Sequence, residues 1–221
     1  MSNDVWSEVF LNQEWGKYPT EPLIRFVAKN FYSKDRSSVR FLELGCGPGA
    51  NLWYLAREGF SFLGIDGSEV AIAQASKRLD DECPNWRDNS DVIVGDVSCL
   101  SGIAEESFDA VIDAECVCCL PFETSCQVYQ QAKSLLKTGG RIFIKTFCDE
   151  SWGYGTGKKV AEHMYECSEG PLENKGGARF TKREQIPTLM QGYQDVRVEK
   201  TTMTHMDGCH CTAEWIIEAK K

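Results

Sequence analysis

Val39-Arg-Phe-Leu-Glu-Leu-Gly-Cys-Gly-Pro-Gly49, followed by Phe62-Leu-Gly-Ile-Asp66, carries the organisation of this chain. The pattern predicts strand, glycine turn, helix and second strand. Phe41 and Leu42 suit a short buried strand, and Gly45, Gly47 and Gly49 let the backbone turn tightly and approach a ligand with no Cβ in the way. Pro48 suits a helix opening, since its fixed φ and missing N–H match a first helical turn. Leu52, Leu55 and Ala56 form an inward stripe, Gly59 stops the helix, and Phe62 to Ile65 make the next strand, which ends on Asp66. An acid about 20 residues after the first glycine is placed to accept from ribose hydroxyls. The unit is therefore expected to bind an adenosine-containing molecule.

Two chemistries share that description. Gly45-Cys-Gly47-Pro-Gly49-Ala50 satisfies the dinucleotide pattern G-x-G-x-x-G/A, which for this stretch alone keeps a nicotinamide-dependent oxidoreductase open. The wider Glu43-Leu-Gly45-Cys-Gly47-Pro-Gly49 resembles the nucleotide-binding motif of class I S-adenosylmethionine-dependent methyltransferases. A carboxylate at the strand tip is unfavourable beside a pyrophosphate and favourable beside a donor that carries an ammonium and a sulfonium. The resemblance implies an α/β, Rossmann-like fold: a seven-stranded mostly parallel sheet in the order 3-2-1-4-5-7-6, last strand antiparallel, with helices on both faces. It also implies S-adenosylmethionine as cofactor, S-adenosylhomocysteine as product, and donor contacts at Glu43, Gly45, Cys46, Gly47, Asn51, Asp66, Gly67, Ser68 and Asp113.

At 221 residues and 42% hydrophobic content, the chain suits one domain over residues 1–221 with a substantial core. No apolar run is long enough to span a bilayer and Met1-Ser-Asn-Asp-Val lacks the features of a signal peptide, so a cytoplasmic setting is expected. Eleven cysteines without a secretion signal suggest reduced, packed thiols. A net charge of −9 argues against a nucleic-acid or anionic-membrane surface. The expected partner is a small-molecule acceptor, met by a monomer or homodimer.

Residues 1–38 are expected to form an N-terminal helical cap. Trp6, Phe10, Trp15 and Tyr18 make it too aromatic for a loose tail, and Leu23, Phe26, Val27 and Phe31 recur at helical spacing after Thr20. In methyltransferases similar to this chain such a segment covers the donor, which implies contacts from Trp15 and Tyr18. Ser68 caps a helix with Ala71, Ile72, Ala75 and Leu79 inward, and Asp91 to Asp96 form a third strand. By resemblance, Asp96 accepts from the adenine amino group and the Val97 N–H lies near a ring nitrogen. Glu43, Asp66 and Asp96 each end a strand, and ligands of such sheets collect at that rim.

Phe108 to Asp113 is the fourth strand. The following Asp113-Ala-Glu-Cys-Val-Cys-Cys-Leu-Pro resembles the loop that borders donor and acceptor in the family, but with cysteines where polar or aromatic residues are usual. Glu123 to Leu136 forms a helix ended by Lys137-Thr-Gly-Gly140, and Arg141 to Thr146 the fifth strand. Residues 147–180 show no clear periodicity and are expected to form an acceptor-binding lid. Thr181-Lys-Arg-Glu184 predicts a capping box, and Asp195 to Met203 and Cys211 to Ala219 alternate as strands around Met206-Asp-Gly-Cys209. In the family the last strand is antiparallel, which would set His205 and His210 on the catalytic side.

The favoured activity is methyl transfer to an O or N atom of a small molecule, such as a sugar or surface-polymer precursor. His205, His210 and Glu115 are the candidate bases, and no metal site is expected from the His and Cys spacing. The competing readings are the NAD-dependent oxidoreductase and a catalytically silent S-adenosylmethionine-binding module.

Overall fold

The computed structural model describes residues 3–221. Helices α1 (Asn3–Asn12) and α2 (Glu21–Phe31) precede β1 (Arg40–Leu44), α3 (Ala50–Arg57), β2 (Ser61–Asp66), α4 (Glu69–Glu82) and β3 (Asp91–Val94). Then come β4 (Phe108–Ala114), α5 (Phe122–Leu135), β5 (Leu136–Phe147), the short strands β6 (Lys158–Ala161), β7 (Met164–Glu166) and β8 (Gly177–Arg179), α6 (Ile186–Leu189), β9 (Gln194–His205) and β10 (His210–Lys220). The main sheet runs β3-β2-β1-β4-β5-β10-β9, with β10 antiparallel to both neighbours. Numbered within that sheet alone, this is the expected 3-2-1-4-5-7-6 order.

Alternation along the strands divides the core into two layers. Leu42, Val111 and Ile142 pack with Val128, Ala132 and Leu135 of α5 and with Ile186 and Leu189 of α6. Phe41, Ala110 and Phe143 pack on the other face with α2, α3 and α4, and the predicted stripe Leu23, Phe26, Val27 and Phe31 of α2 is buried there. Helix α1 lies instead against the start of α4, where Ser7 Oγ meets Ser68 Oγ at 2.8 Å and Gln74 donates to the Phe10 carbonyl at 2.9 Å. Residues 1 and 2 of the expected 1–38 cap lie outside the described residues.

Two local expectations are corrected. Helix α5 does not end on a glycine: Leu136 is already extended, and Gly139 (φ +77°) serves a register shift within β5 instead. A Cβ at Gly140 would lie 2.9 Å from the Lys137 carbonyl, so the glycine pair answers crowding at that bulge. The capping box sits one residue later than Thr181, with the Gln185 side chain accepting from the Lys182 N–H at 2.9 Å. Thr181 bonds elsewhere, its N–H donating to the Phe147 carbonyl at 2.8 Å and its hydroxyl accepting from Arg179 at 2.7 Å.

Residues 147–180 also hold more regular structure than the sequence announces. Strands β6, β7 and β8 form their own antiparallel sheet, and Phe147, Cys167, Leu172, Ala178 and Phe180 pack with Cys118 and Cys119 as a third apolar cluster. Strands of three or four residues are too short for alternation to register in a sequence. All 11 cysteines carry free thiols. Among the described residues no helix is long and apolar enough to cross a membrane.

Candidate active site

The parallel strands end at one rim, and the turns leaving β1, β2 and β3 build the first half of a cavity of about 490 Å³. Gly45 and Cys46 both donate to the Ile65 carbonyl, at 2.8 and 3.0 Å, which ties the glycine turn to β2. Gly45 adopts φ +67°, and a Cβ there would lie 2.2 Å from Cys116 Sγ, so this position admits only glycine. Asp66 accepts from the Gly47 N–H at 2.9 Å and from the Ser68 N–H at 2.8 Å. Burial raises its pKa while those two bonds pull it down. Ser68 in turn caps α4 through Ala71 N–H, and Asp96 is exposed at the tip beyond β3, accepting from Ser98 N–H at 2.8 Å.

Glu43 is the most constrained of these acids. Asn51 donates to one of its carboxylate oxygens at 2.6 Å, and the other is buried with no partner among the described residues. Burial pushes its pKa up to about 8, against the Asn51 bond and with help from the like charges of Asp66 and Asp113. An orphaned acceptor on the wall of a cavity that Asp66 and Asp96 also line matches a cationic ammonium. It does not match a pyrophosphate, so the chemistry of this wall fits S-adenosylmethionine and not a dinucleotide.

The second half of the cavity comes from segments far apart in the chain. Trp6 and Phe10 of α1 line it one helical turn apart, with the Trp15 ring edge-on to both at 5.9 and 5.2 Å between centroids. Leu120 and Pro121 after β4, Phe147 at the end of β5, and Pro171 and Leu172 add further apolar wall. Lys175 reaches from the 147–180 segment to 5.5 Å above the Trp15 ring, so the N-terminal cap and that segment meet over the opening. Glu115 enters this half from a left-handed residue (φ +67°) after β4, and its carboxylate pairs with Lys145 of β5, which also pairs with Glu214 of β10.

Of the residues singled out from the sequence, Trp15, Glu43, Gly45, Cys46, Gly47, Asn51, Asp66, Gly67, Ser68, Asp96, Val97 and Glu115 line this one cavity. Four do not. Tyr18 is 71% exposed and packs edge-on against Trp53. Asp113 is fully buried behind the wall, accepting from Tyr129 OH at 2.7 Å and from the Cys116 and Val117 N–H groups at 2.9 and 3.1 Å; burial lifts it to about 6 against those bonds. It anchors the loop after β4 and has no face toward a ligand. His205 and His210 sit at the β9–β10 turn outside the cavity, His205 Nε2 at 2.8 Å from Thr212 Oγ1 and His210 stacked on Trp152 at 4.0 Å. Trp152 N–H donates to the Cys211 carbonyl at 2.7 Å, so the root of the 147–180 segment occupies the turn's inner side.

Sequence inspection missed Trp6 and Phe10 as cavity residues, and Lys145 and Glu214 altogether. The signal for the first pair was their i, i+4 spacing on a helix; for Lys145 it was a lysine following the apolar run Ile142–Ile144 of β5. Cys46, Cys116 and Cys119 also line the wall. Burial holds the Cys46 and Cys116 thiols well above their ordinary pKa, which keeps them neutral. Among the described residues no group of three or more His, Cys, Asp or Glu side chains is arranged to hold a metal ion.

Comparison with known proteins agrees with this geometry. A family model describing a methyltransferase domain matches residues 35–200. The bovine mitochondrial ubiquinone biosynthesis O-methyltransferase is 32% identical over 149 residues, 64% of this chain and 38% of the relative, so the chain spans about two fifths of that protein's length. Among solved structures, an S-adenosylmethionine-dependent methyltransferase of Methanosarcina mazei matches with a TM-score of 0.66 at 19% identity, over 82% of this chain and 92% of the other. The phosphoethanolamine N-methyltransferase 2 of Haemonchus contortus, solved with phosphomonomethylethanolamine and S-adenosylhomocysteine, matches with a TM-score of 0.67 at 16% identity, over 100% of this chain and 58% of the other. With an acid-rimmed cavity, an unpaired Glu43 oxygen and a family model spanning most of its length, the chain belongs to the class I methyltransferases that use S-adenosylmethionine as cofactor.

Proposed function

We propose that the protein methylates a hydroxyl oxygen of a small, largely apolar acceptor. The observation that carries this reading is the continuity of the cavity: the acids of the first half open directly onto an aromatic second half in which Glu115 is the one carboxylate. When bound, the cofactor supplies an electrophilic methyl group. Glu43 would hold its ammonium through the unpaired oxygen, Asp66 its ribose hydroxyls, and the Asp96–Val97 turn its adenine. Trp6, Phe10, Trp15 and Leu172 would exclude water and press a flat acceptor against the methyl carbon. The 147–180 segment acts as the acceptor wall in this reading.

Similarity to an O-methyltransferase favours oxygen over nitrogen, and the apolar wall favours a planar hydroxyl compound over the sugar or surface-polymer precursor suggested by the sequence. The same reading carries a cytoplasmic enzyme, monomeric or homodimeric, without nucleic-acid or membrane partners. The test is transfer of a labelled methyl from S-adenosylmethionine to a panel of phenols, catechols, sugars and amines. Label on a phenolic oxygen is expected; label confined to amines, or to sugars, overturns the proposal.

A further inference from the structure

Lys145 is the only lysine or arginine in the apolar run of β5 from Ile142 to Phe147, and its ammonium is wedged between two carboxylates from different parts of the chain. Glu115 comes from the loop after β4, Glu214 from within β10. The three side chains are graded in exposure: Glu115 33%, Glu214 13% and Lys145 10%. Glu115 lines the cavity and the other two do not. The cluster therefore opens onto the acceptor half through one carboxylate, and two carboxylates against one ammonium leave it with a net negative charge.

We propose that these residues form one proton-accepting cluster for the acceptor hydroxyl, Glu115 taking the proton at the cavity wall while Lys145 and Glu214, as positioning residues, set its proton affinity from behind. This rests on the hydroxyl acceptor proposed above. As the acceptor oxygen bonds to the methyl carbon, the carbon–sulfur bond breaks with its electron pair staying on sulfur. The hydroxyl proton passes to Glu115, Lys145 shifts its pairing toward Glu214, and the cluster goes from one net negative charge to neutral. Burial favours that neutral form. A lone Glu115–Lys145 pair would be neutral before the transfer and a weak base; the second carboxylate is what makes uptake favourable.

The electrostatics agree. Burial and the like charge of Glu115 lift Glu214 to about 7 against the opposing pull of Lys145. Burial works against the Lys145 charge, but the two carboxylates more than offset it and hold the ammonium above its ordinary value. Charged groups on the packed elements are engaged elsewhere or held neutral. Glu214 stands opposite Phe147 on β5 and Thr201 on β9, and the neighbouring Lys200 is engaged with Glu150 at 2.8 and 2.9 Å. From the loop after β4, Cys118 feels the Glu115 charge and is held neutral, foremost by its bond with Cys119 and then by burial. Lys175 is the basic residue on the cavity wall, set over Trp15.

The experiment is a pH titration of side-chain carboxyl carbons by NMR, on protein carrying carboxyl-labelled glutamate and saturated with S-adenosylhomocysteine. Variants Glu115→Gln and Glu214→Gln assign the two signals. In the wild type the pair is expected to take up one proton with a midpoint between about pH 6 and 8. In Glu115→Gln the Glu214 midpoint should fall by about one unit or more, because the lysine then serves a single carboxylate. Lys145→Arg should keep the wild-type midpoint and Lys145→Met should raise it. Ordinary titration of Glu214 below about pH 5 in the wild type overturns the proposal without recourse to any variant. An unmoved Glu214 midpoint in Glu115→Gln that still binds S-adenosylhomocysteine overturns it as well. Either result leaves methyl transfer to a phenol intact, so the proton-accepting cluster and the hydroxyl acceptor fail separately.

Discussion

The two halves of the cavity are built on opposite plans. The half assigned above to the donor is local: Glu43, Gly45, Gly47, Asn51 and Asp66 lie within one strand-turn-helix-strand unit and are locked by bonds inside it, from Asn51 to Glu43 and from Gly47 to Asp66. The acceptor half is convergent. Trp6, Glu115, Phe147 and Leu172 come from four separate segments and meet through apolar packing and the Lys145 cluster. A local site is rigid because each side chain is held by its chain neighbours, whereas a convergent one changes when any contributing segment changes.

The largest expected effect tests the rigidity of the donor half. Gly45→Ala would drive a Cβ into Cys116 Sγ at a residue with φ +67°, combining overpacking with left-handed strain. A loss of roughly 3–6 kcal/mol is expected, seen as a much lower unfolding midpoint and no calorimetric response to S-adenosylhomocysteine. A variant that binds S-adenosylhomocysteine normally would mean that the turn yields, and the contrast between the halves would weaken.

Next in size is the pH dependence set by Glu43. Its folded pKa of about 8 lies above the reference value of 4.5, so the folded protein keeps a proton that the unfolded chain gives up across that window. This group's contribution to stability therefore falls as pH rises from 4.5 to about 8 and levels off above. Glu43→Gln removes that slope and should be the more stable protein at pH 8 by on the order of 2–4 kcal/mol, while binding the donor more weakly. Denaturant unfolding at about pH 5 and about pH 8 measures it. Equal pH dependence in wild type and variant would mean that burial does not strain the Glu43 carboxylate.

The smallest effect is assigned to the histidines outside both halves. His205→Gln and His210→Gln should each lose less than about 1 kcal/mol of stability, from Thr212 bonding and Trp152 stacking, and leave turnover within about twofold. A pH-dependent loss of about 100-fold in either would return that residue to the catalytic machinery.

The same contrast explains what the sequence revealed. The glycine turn and Asp66 were legible because motif spacing and strand periodicity are local properties, whereas Asp96 and the sheet order came with the resemblance to class I methyltransferases. Lys145 and Glu214 were not, because nothing along the chain signals that positions 115, 145 and 214 converge. The histidines misled for a related reason: topology correctly put the β9–β10 turn at the rim, but Trp152 packing on its inner side is a tertiary fact. Thr181 read as a helix cap because Thr-x-x-Glu satisfies that pattern, yet its N–H was needed by Phe147.

That last bond has an evolutionary corollary. With Thr181 N–H donating to the Phe147 carbonyl at 2.8 Å, and Cys148 bridging to Thr181, the chain leaves and re-enters the body of the protein at almost one point. A segment whose ends are already joined can lengthen, shorten or be exchanged at little entropic cost, since closure cost grows only slowly with loop length. In the proposed reading, a descendant could acquire a new acceptor by changing residues 147–180 together with the Cys118, Cys119 and Cys211 positions they meet, leaving the strands assigned to the methyl donor untouched.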